Sequence, residues 1–230
     1  LLAALPEEVA GAIKEVGELD LYSLIVGSIF YKLAGLLLPI IYMIMASNNL
    51  ISGQVDRGSM AYVLSTSTKR ESVVFTQALY LIGSLFAMFC LTTATGCVCL
   101  AIVRADNASI QLTYGNFLLL NLGAFLVLLA LSGLCFFTSC KLAMAIGGGL
   151  SIFALVAAML GLFGTQTIPS VVRLDALNYF NYATIITLFD VISIIDKTGV
   201  FIWKFAILLV MGIVGYVLGA RKFIKKDLPL

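Results

Sequence analysis

Long apolar runs separated by short polar breaks dominate the chain. Five of them, 33–51, 73–103, 113–139, 142–163 and 200–220, meet or approach the roughly 20 residues that a helix needs to cross a bilayer. Runs of that length are too long for strands, and they carry too few polar positions for helices lying on a soluble core. The pattern predicts an all-α, polytopic helical membrane protein built as a single transmembrane domain. The first run has Tyr31 and Lys32 at its outer end, and the apolar stretch 21–30 either extends that helix or lies in the interface. Run 73–103 exceeds one crossing, so its helix must tilt, kink or project into water. Pro39 is expected to bend the first run. Gly147, Gly148 and Gly149 in the fourth permit close helix approach. A tight Cys140-Lys141 turn joins the third run to the fourth.

Composition supports the bilayer as solvent. Hydrophobic residues make up 61% of the 230 and charged residues 11%, with a mean hydropathy of +1.09. Soluble domains hold about 45–50% apolar and about 25% charged residues, so these few charges cannot clothe a soluble core. The net charge of +2 says little about partners; the placement of the charges says more. With segment 52–72 on the cytosolic side, the inside segments hold Arg57, Lys69, Arg70, Lys141, Arg221, Lys222, Lys225 and Lys226, eight cations. The outside segments then hold four, Lys14, Arg104, Arg173 and Lys197. That asymmetry is the positive-inside pattern of a multi-pass protein of the cell membrane. Lys32 and Lys204 sit near the outer ends of their runs, where they can snorkel outward.

The same alternation puts residues 1–32 outside as an acidic segment, with Glu7, Glu8, Glu15, Glu18 and Asp20. An odd number of crossings starting outside, with no signal peptide, leads to the expectation of an upstream span and six crossings in the intact protein. The loop 164–199 is long for an outer connection. Its apolar, aromatic middle, from Tyr179 to Phe189, is too short to span. It is expected to be re-entrant or interfacial, or to pack on the spans.

The chemistry that is missing narrows the function. There is no histidine, which removes the commonest metal ligand and general base. Cys90, Cys97, Cys99, Cys135 and Cys140 lie in or beside apolar runs, where cysteine serves as a small packing residue, and their spacing is not that of a zinc site. No P-loop, Gly-x-Ser-x-Gly or His-Glu-x-x-His motif occurs. No enzyme activity, cofactor or metal is expected in the chain itself. The polar residues left in the runs are neutral: Asn48, Asn49, Thr92, Thr93, Thr95, Asn116, Asn121 and Ser132. They suit interhelical hydrogen bonding. Alternatively Asn48, Asn49, Thr92, Thr95, Asn116 and Asn121 mark a path for an amphipathic substrate.

Between the first two runs lies a polar island, Ser52 to Glu71, with the apolar insert Met60 to Leu64. Asp56 to Gly58 can turn the chain, and Met60, Tyr62, Val63 and Leu64 form an apolar face for a short helix against a membrane or partner. Ser65 to Thr68 can cap and turn, and Lys69 and Arg70 reach the phospholipid surface. On physical grounds alone, this is either an ordinary amphipathic loop or a cytosolic docking element.

The run Asp56-Arg57-Gly58-Ser59, followed by Ser65-Thr66 and Lys69-Arg70, resembles the Glu-Lys/Arg-Gly-Thr…Leu-Leu-Ser-Thr-Pro-x-Ser-Arg signature of type-2 ABC exporter permeases. Leu5-Pro6-Glu7-Glu8, Leu177 to Tyr182 and the basic ending Arg221 to Leu228 are similar to further short stretches of that family. Ser67 stands where the family commonly has proline, and Gln54 where it commonly has an acid. The resemblance implies a permease subunit, bacterial and in the plasma membrane, that pairs with a second permease copy or homologue. Each copy would bind an ABC ATPase subunit that holds ATP and Mg. It also implies ATPase coupling through Asp56, Arg57, Gly58, Ser59, Leu64, Ser65, Thr66, Lys69 and Arg70, within a coupling loop 52–72. Beyond these, the expected surroundings are the lipid bilayer, and nucleic acid is not an expected partner. Two competing readings are a non-transporting sensor or structural subunit that docks a cytosolic regulator, and a lipid-modifying membrane enzyme. The second would need a polar catalytic cluster that the sequence lacks.

Overall fold

The computed structural model describes residues 30–31, 35–47, 49–50, 54, 58, 69–106, 112–141, 144–162, 174–182, 184–195 and 199–225. Every regular element among them is helical. The longer helices are α1 (Leu36–Ser47), α2 (Arg70–Asp106), α3 (Tyr114–Lys141) and α4 (Met144–Leu162). Short turns follow at Asp175–Asn178, α5 (Tyr179–Tyr182), Ile185–Leu188 and α6 (Val191–Ile195), and the last helix is α7 (Val200–Ile224). In hydrocarbon every backbone N–H and C=O must be satisfied within the segment, so uninterrupted apolar runs become helices.

Three of these helices, α2, α3 and α7, are long and apolar enough to cross a membrane. The 12 residues of α1 rise only about 18 Å against a hydrocarbon core of about 30 Å. The apolar part of α4, Gly148–Gly161, is also shorter than the full-length three. Runs 33–51 and 142–163 are therefore helical in part but shorter than full crossings among the described residues. Pro39 lies in the first turn of α1, where a missing N–H costs a helix least. At 37 residues, α2 is about 55 Å long, more than one crossing uses.

The helix α3 is the centre of the bundle. Of its apolar stretch 72% is buried within the protein, against 28% for α7 and 11% for α2. Its most extensive contact is with α7, and glycine makes that contact possible. Gly212, Gly215 and Gly219 recur at spacings that put them on one face of α7. A Cβ on Gly215 would lie 2.6 Å from the carbonyl carbon of Gly133 in α3, and one on Gly133 would lie 2.7 Å from the oxygen of Gly212. A Cβ on Gly219 would meet the Phe137 backbone at 3.1 Å. Alongside this seam the Tyr216 hydroxyl donates to Ser132 Oγ at 2.8 Å, and Ser132 Oγ donates to the Leu129 carbonyl at 2.9 Å. The Phe136 and Tyr216 rings pack with centroids 5.1 Å apart.

The other elements assemble around this pair. Gly148 of α4 lies against Ile44 of α1, 3.1 Å from where its Cβ would stand, which is the close approach expected of the glycine triplet. The aromatic segment after α4 packs on the spans: Ile186, Phe189, Val191 and Ile194 are all buried in the main core. Phe189 occupies the space beside Gly123 of α3, 2.7 Å from a Cβ placed there. Tyr179 and Tyr182 remain exposed, as suits aromatic residues at a membrane interface.

Replacing Gly215 by Ala should drive α3 and α7 apart and destabilise the detergent-solubilised protein by about 1–3 kcal/mol, read as a lower unfolding temperature. The Gly83→Ala change in α2, where nothing lies within 4 Å of the added methyl, should be neutral or stabilising. Equal effects from the two changes would refute the glycine seam.

Candidate coupling site at the basic end of the bundle

The start of α2 and the end of α7 share one end of the molecule. Val74 and Leu81 of α2, Phe136 of α3, and Tyr216 and Phe223 of α7 form a single buried cluster there. The geometry therefore gathers Lys69, Arg70, Arg221, Lys222 and Lys225 at one end, beside Glu71. Lys222 covers the Phe137 ring at 4.8 Å. At the opposite end, Arg104 lies over the Tyr114 ring at 5.2 Å, and Lys204 pairs with Asp190 at 2.6 Å. The cation-rich end is the one to which the positive-inside rule assigns the cytosol.

Two features tie the polar island to α2. The Gln77 amide Nε2 donates to Gln54 Oε1 at 3.2 Å. Gln77 is buried on α2, and its own Oε1 has no hydrogen-bond partner. The carbonyl of Lys69 accepts from the N–H groups of Ser72 and Val73 at 3.0 and 3.3 Å, so Lys69 opens α2 directly, with Arg70 as its first residue. Gly58 turns the chain with a φ of +70° and is exposed, a conformation that a Cβ disfavours. Asp56, Arg57, Ser59, Leu64, Ser65 and Thr66 lie outside the described residues, as do Met60, Tyr62 and Val63.

The described candidate path residues lie in different surroundings. Thr92 and Thr95 are exposed on α2 and donate to the carbonyls of Met88 and Leu91 one turn earlier. Asn116 is buried and donates to the Ile195 carbonyl at 3.4 Å, which ties α3 to α6. Asn121 donates to the Phe117 carbonyl at 3.0 Å and shares a hydrogen bond with Tyr31. Asn121 borders a groove of ≈ 390 Å³ between α2 and α3, where it meets Thr93, Cys90, Phe86, Phe89 and Phe125. Asn49 is exposed beyond α1, and Asn48 lies outside the described residues. Hydroxyls in the spans mostly return to their own helix, because a threonine or serine side chain reaches the carbonyl one turn back. The links between helices run instead through Asn116, through Tyr216 with Ser132, and through Cys135 Sγ, which lies 3.2 Å from Ser151 Oγ. Among the described residues, no three His, Cys, Asp or Glu side chains gather to hold a metal.

Lys204 does more than snorkel. It reaches back 14 positions to Asp190, which also accepts from the Ser193 N–H at 3.1 Å and the Ser193 hydroxyl at 2.7 Å. Asp190 thus caps α6 and fastens the segment between α4 and α7 to α7. This pair had only a weak signal in the sequence, two opposite charges flanking an apolar stretch. The glycine spacing of α7, in contrast, was there to be read.

No protein-family model, no curated protein and no solved structure matches this chain.

Burial alone would raise the Asp190 pKa, but bonds from Lys204 and Ser193 outweigh it and hold the carboxyl below its ordinary value of 3.8. Its contribution is therefore complete above the unfolded-state pKa and is lost as pH falls through the lower folded-state value. Asp190→Asn should lower stability by about 1–2 kcal/mol at pH 7. Thermal unfolding should show that gap undiminished at pH 5 and closing only in stronger acid. A gap that closes between pH 7 and pH 5 would contradict the pairing.

Proposed function

We propose that the chain is the membrane permease subunit of an ATP-driven exporter of the type-2 ABC kind. Its substrate is an amphipathic peptide, drug or lipid-like molecule, moved out of the cell by alternating access. Five crossings make up the arrangement in this chain, and runs 33–51 and 142–163 supply the two beyond α2, α3 and α7. ATP is hydrolysed in a separate ATPase subunit on the cytosolic side, and a second permease copy completes the path.

The observation that carries this reading is the attachment of the island to the foot of α2. Gln54 is hydrogen-bonded to Gln77, and Lys69 opens the helix, so a load on the island is delivered to α2. That helix is also the least enclosed of the long three, at 11% buried. The island carries the family-like motif around Asp56 to Arg70. Asp56 and Arg57 suit charge-assisted hydrogen bonds to a soluble partner.

The test uses the protein extracted from its native membrane together with whatever ATPase accompanies it. In vesicles, Asp56→Lys and Gly58→Pro should abolish stimulation of hydrolysis by substrate and cut transport at least about tenfold, a loss of roughly 1.4 kcal/mol of coupling. Both variants should insert in the membrane normally. Undiminished transport by both would refute the docking role. Purification of the chain with a non-ATPase regulator would favour the sensor reading instead.

A further inference from the structure

At the basic end, α2 and α7 diverge to leave an open groove of ≈ 650 Å³. Its walls are Phe75, Leu79 and Ile82 of α2 and Val217, Ala220 and Ile224 of α7, with Glu71 and Ser72 on its rim. The two helices run antiparallel here, so both walls reach the same membrane surface. The volume falls within the range of about 300–1,000 Å³ usual for small-ligand sites.

The lining itself holds one charged side chain, Glu71, and three cations stand within a helical turn of lining residues. Arg221 lies one helical turn beyond the groove residue Val217, and Lys225 one turn beyond Arg221. Lys69 lies a turn before Ser72, its carbonyl bonded to the Ser72 N–H. All three side chains are exposed. Among the described residues that line the groove, Glu71 is the one carboxylate.

We infer that this groove is a binding site for an anionic phospholipid of the adjoining leaflet. An acyl chain lies between Phe75 and Leu79 on one side and Val217 and Ile224 on the other, and the phosphate sits among Arg221, Lys225 and Lys69. Apolar depth with three cations within a helical turn complements a molecule that is apolar at one end and anionic at the other. Basic pockets between spanning helices attract such headgroups, whereas a choline headgroup returns its own positive charge to the rim. A helix from a second copy would cover the walls but has no use for the cations. The inference is independent of transport, since it concerns lipid retention alone.

Native mass spectrometry of the full chain released from nanodiscs of equal phosphatidylglycerol and phosphatidylcholine tests it. One phosphatidylglycerol should be retained in preference to phosphatidylcholine. The double change Arg221→Gln with Lys225→Gln should reduce that preference roughly tenfold or more. Val217→Trp, which fills the groove from an exposed position, should reduce retention of both lipids. Lys69→Gln alters only an exposed side chain and should shift the preference in the same direction if the other variants fold poorly. Equal retention of the two lipids by the unaltered chain would overturn the inference. So would a preference unmoved by the charge changes, or a dimer of the chain that carries no lipid.

Discussion

Gly133 of α3 and Gly212 and Gly215 of α7 bring two helix backbones into direct contact. In a bilayer, helices gain little from hiding apolar side chains, because the lipid is equally apolar, so association rests on close van der Waals packing and on hydrogen bonds between helices. The α3–α7 seam supplies both: the backbones meet at the glycines, and the Tyr216 hydroxyl closes on Ser132 beside them. With α7 fixed, α3 is enclosed, and its remaining faces carry α1, α2, α4 and the outer segment. Phe189 enters the bundle because α3 has Gly123 at that level.

The α3–α7 seam and the exposed α2 give the molecule an uneven enclosure. Most of the apolar surface of α2 is turned outward, while the α3–α7 pair cannot shift without a backbone clash. The polar island is joined to the more exposed helix, α2, at Gln77 and Lys69. The far end is secured differently. There Asp190, Lys204 and Ser193 form a charged clasp that holds the segment between α4 and α7 against the top of α7.

Much of the architecture was legible in the residues. The apolar runs 73–103, 113–139 and 200–220 each correspond to a long helix, and the glycine triplet marks a real close approach at Gly148. Runs 33–51 and 142–163 are described only in part, as α1 and α4. Around Pro39 the described helix begins only three residues earlier. The neutral polar residues were harder to place. Thr92, Thr93 and Thr95 look available in the sequence, yet each is satisfied by its own helix. Asn116 and Asn121 face the interior, with partners 79 positions away for the first and four for the second.

The sequence by itself determined the long apolar runs, the helical class and the charged end. Apolar content, run length and lysine or arginine placement act locally and add along the chain, so they can be read residue by residue. Only the tertiary structure decided which helix is central, which remains open to its surroundings, and which polar groups pair. The long runs are apolar on nearly every side, so no stripe in the sequence marks the face that meets a neighbour. That choice falls to the fit of glycine against backbone, of Phe189 into the space beside Gly123, and of Lys204 onto Asp190. Each depends on two distant segments being brought together.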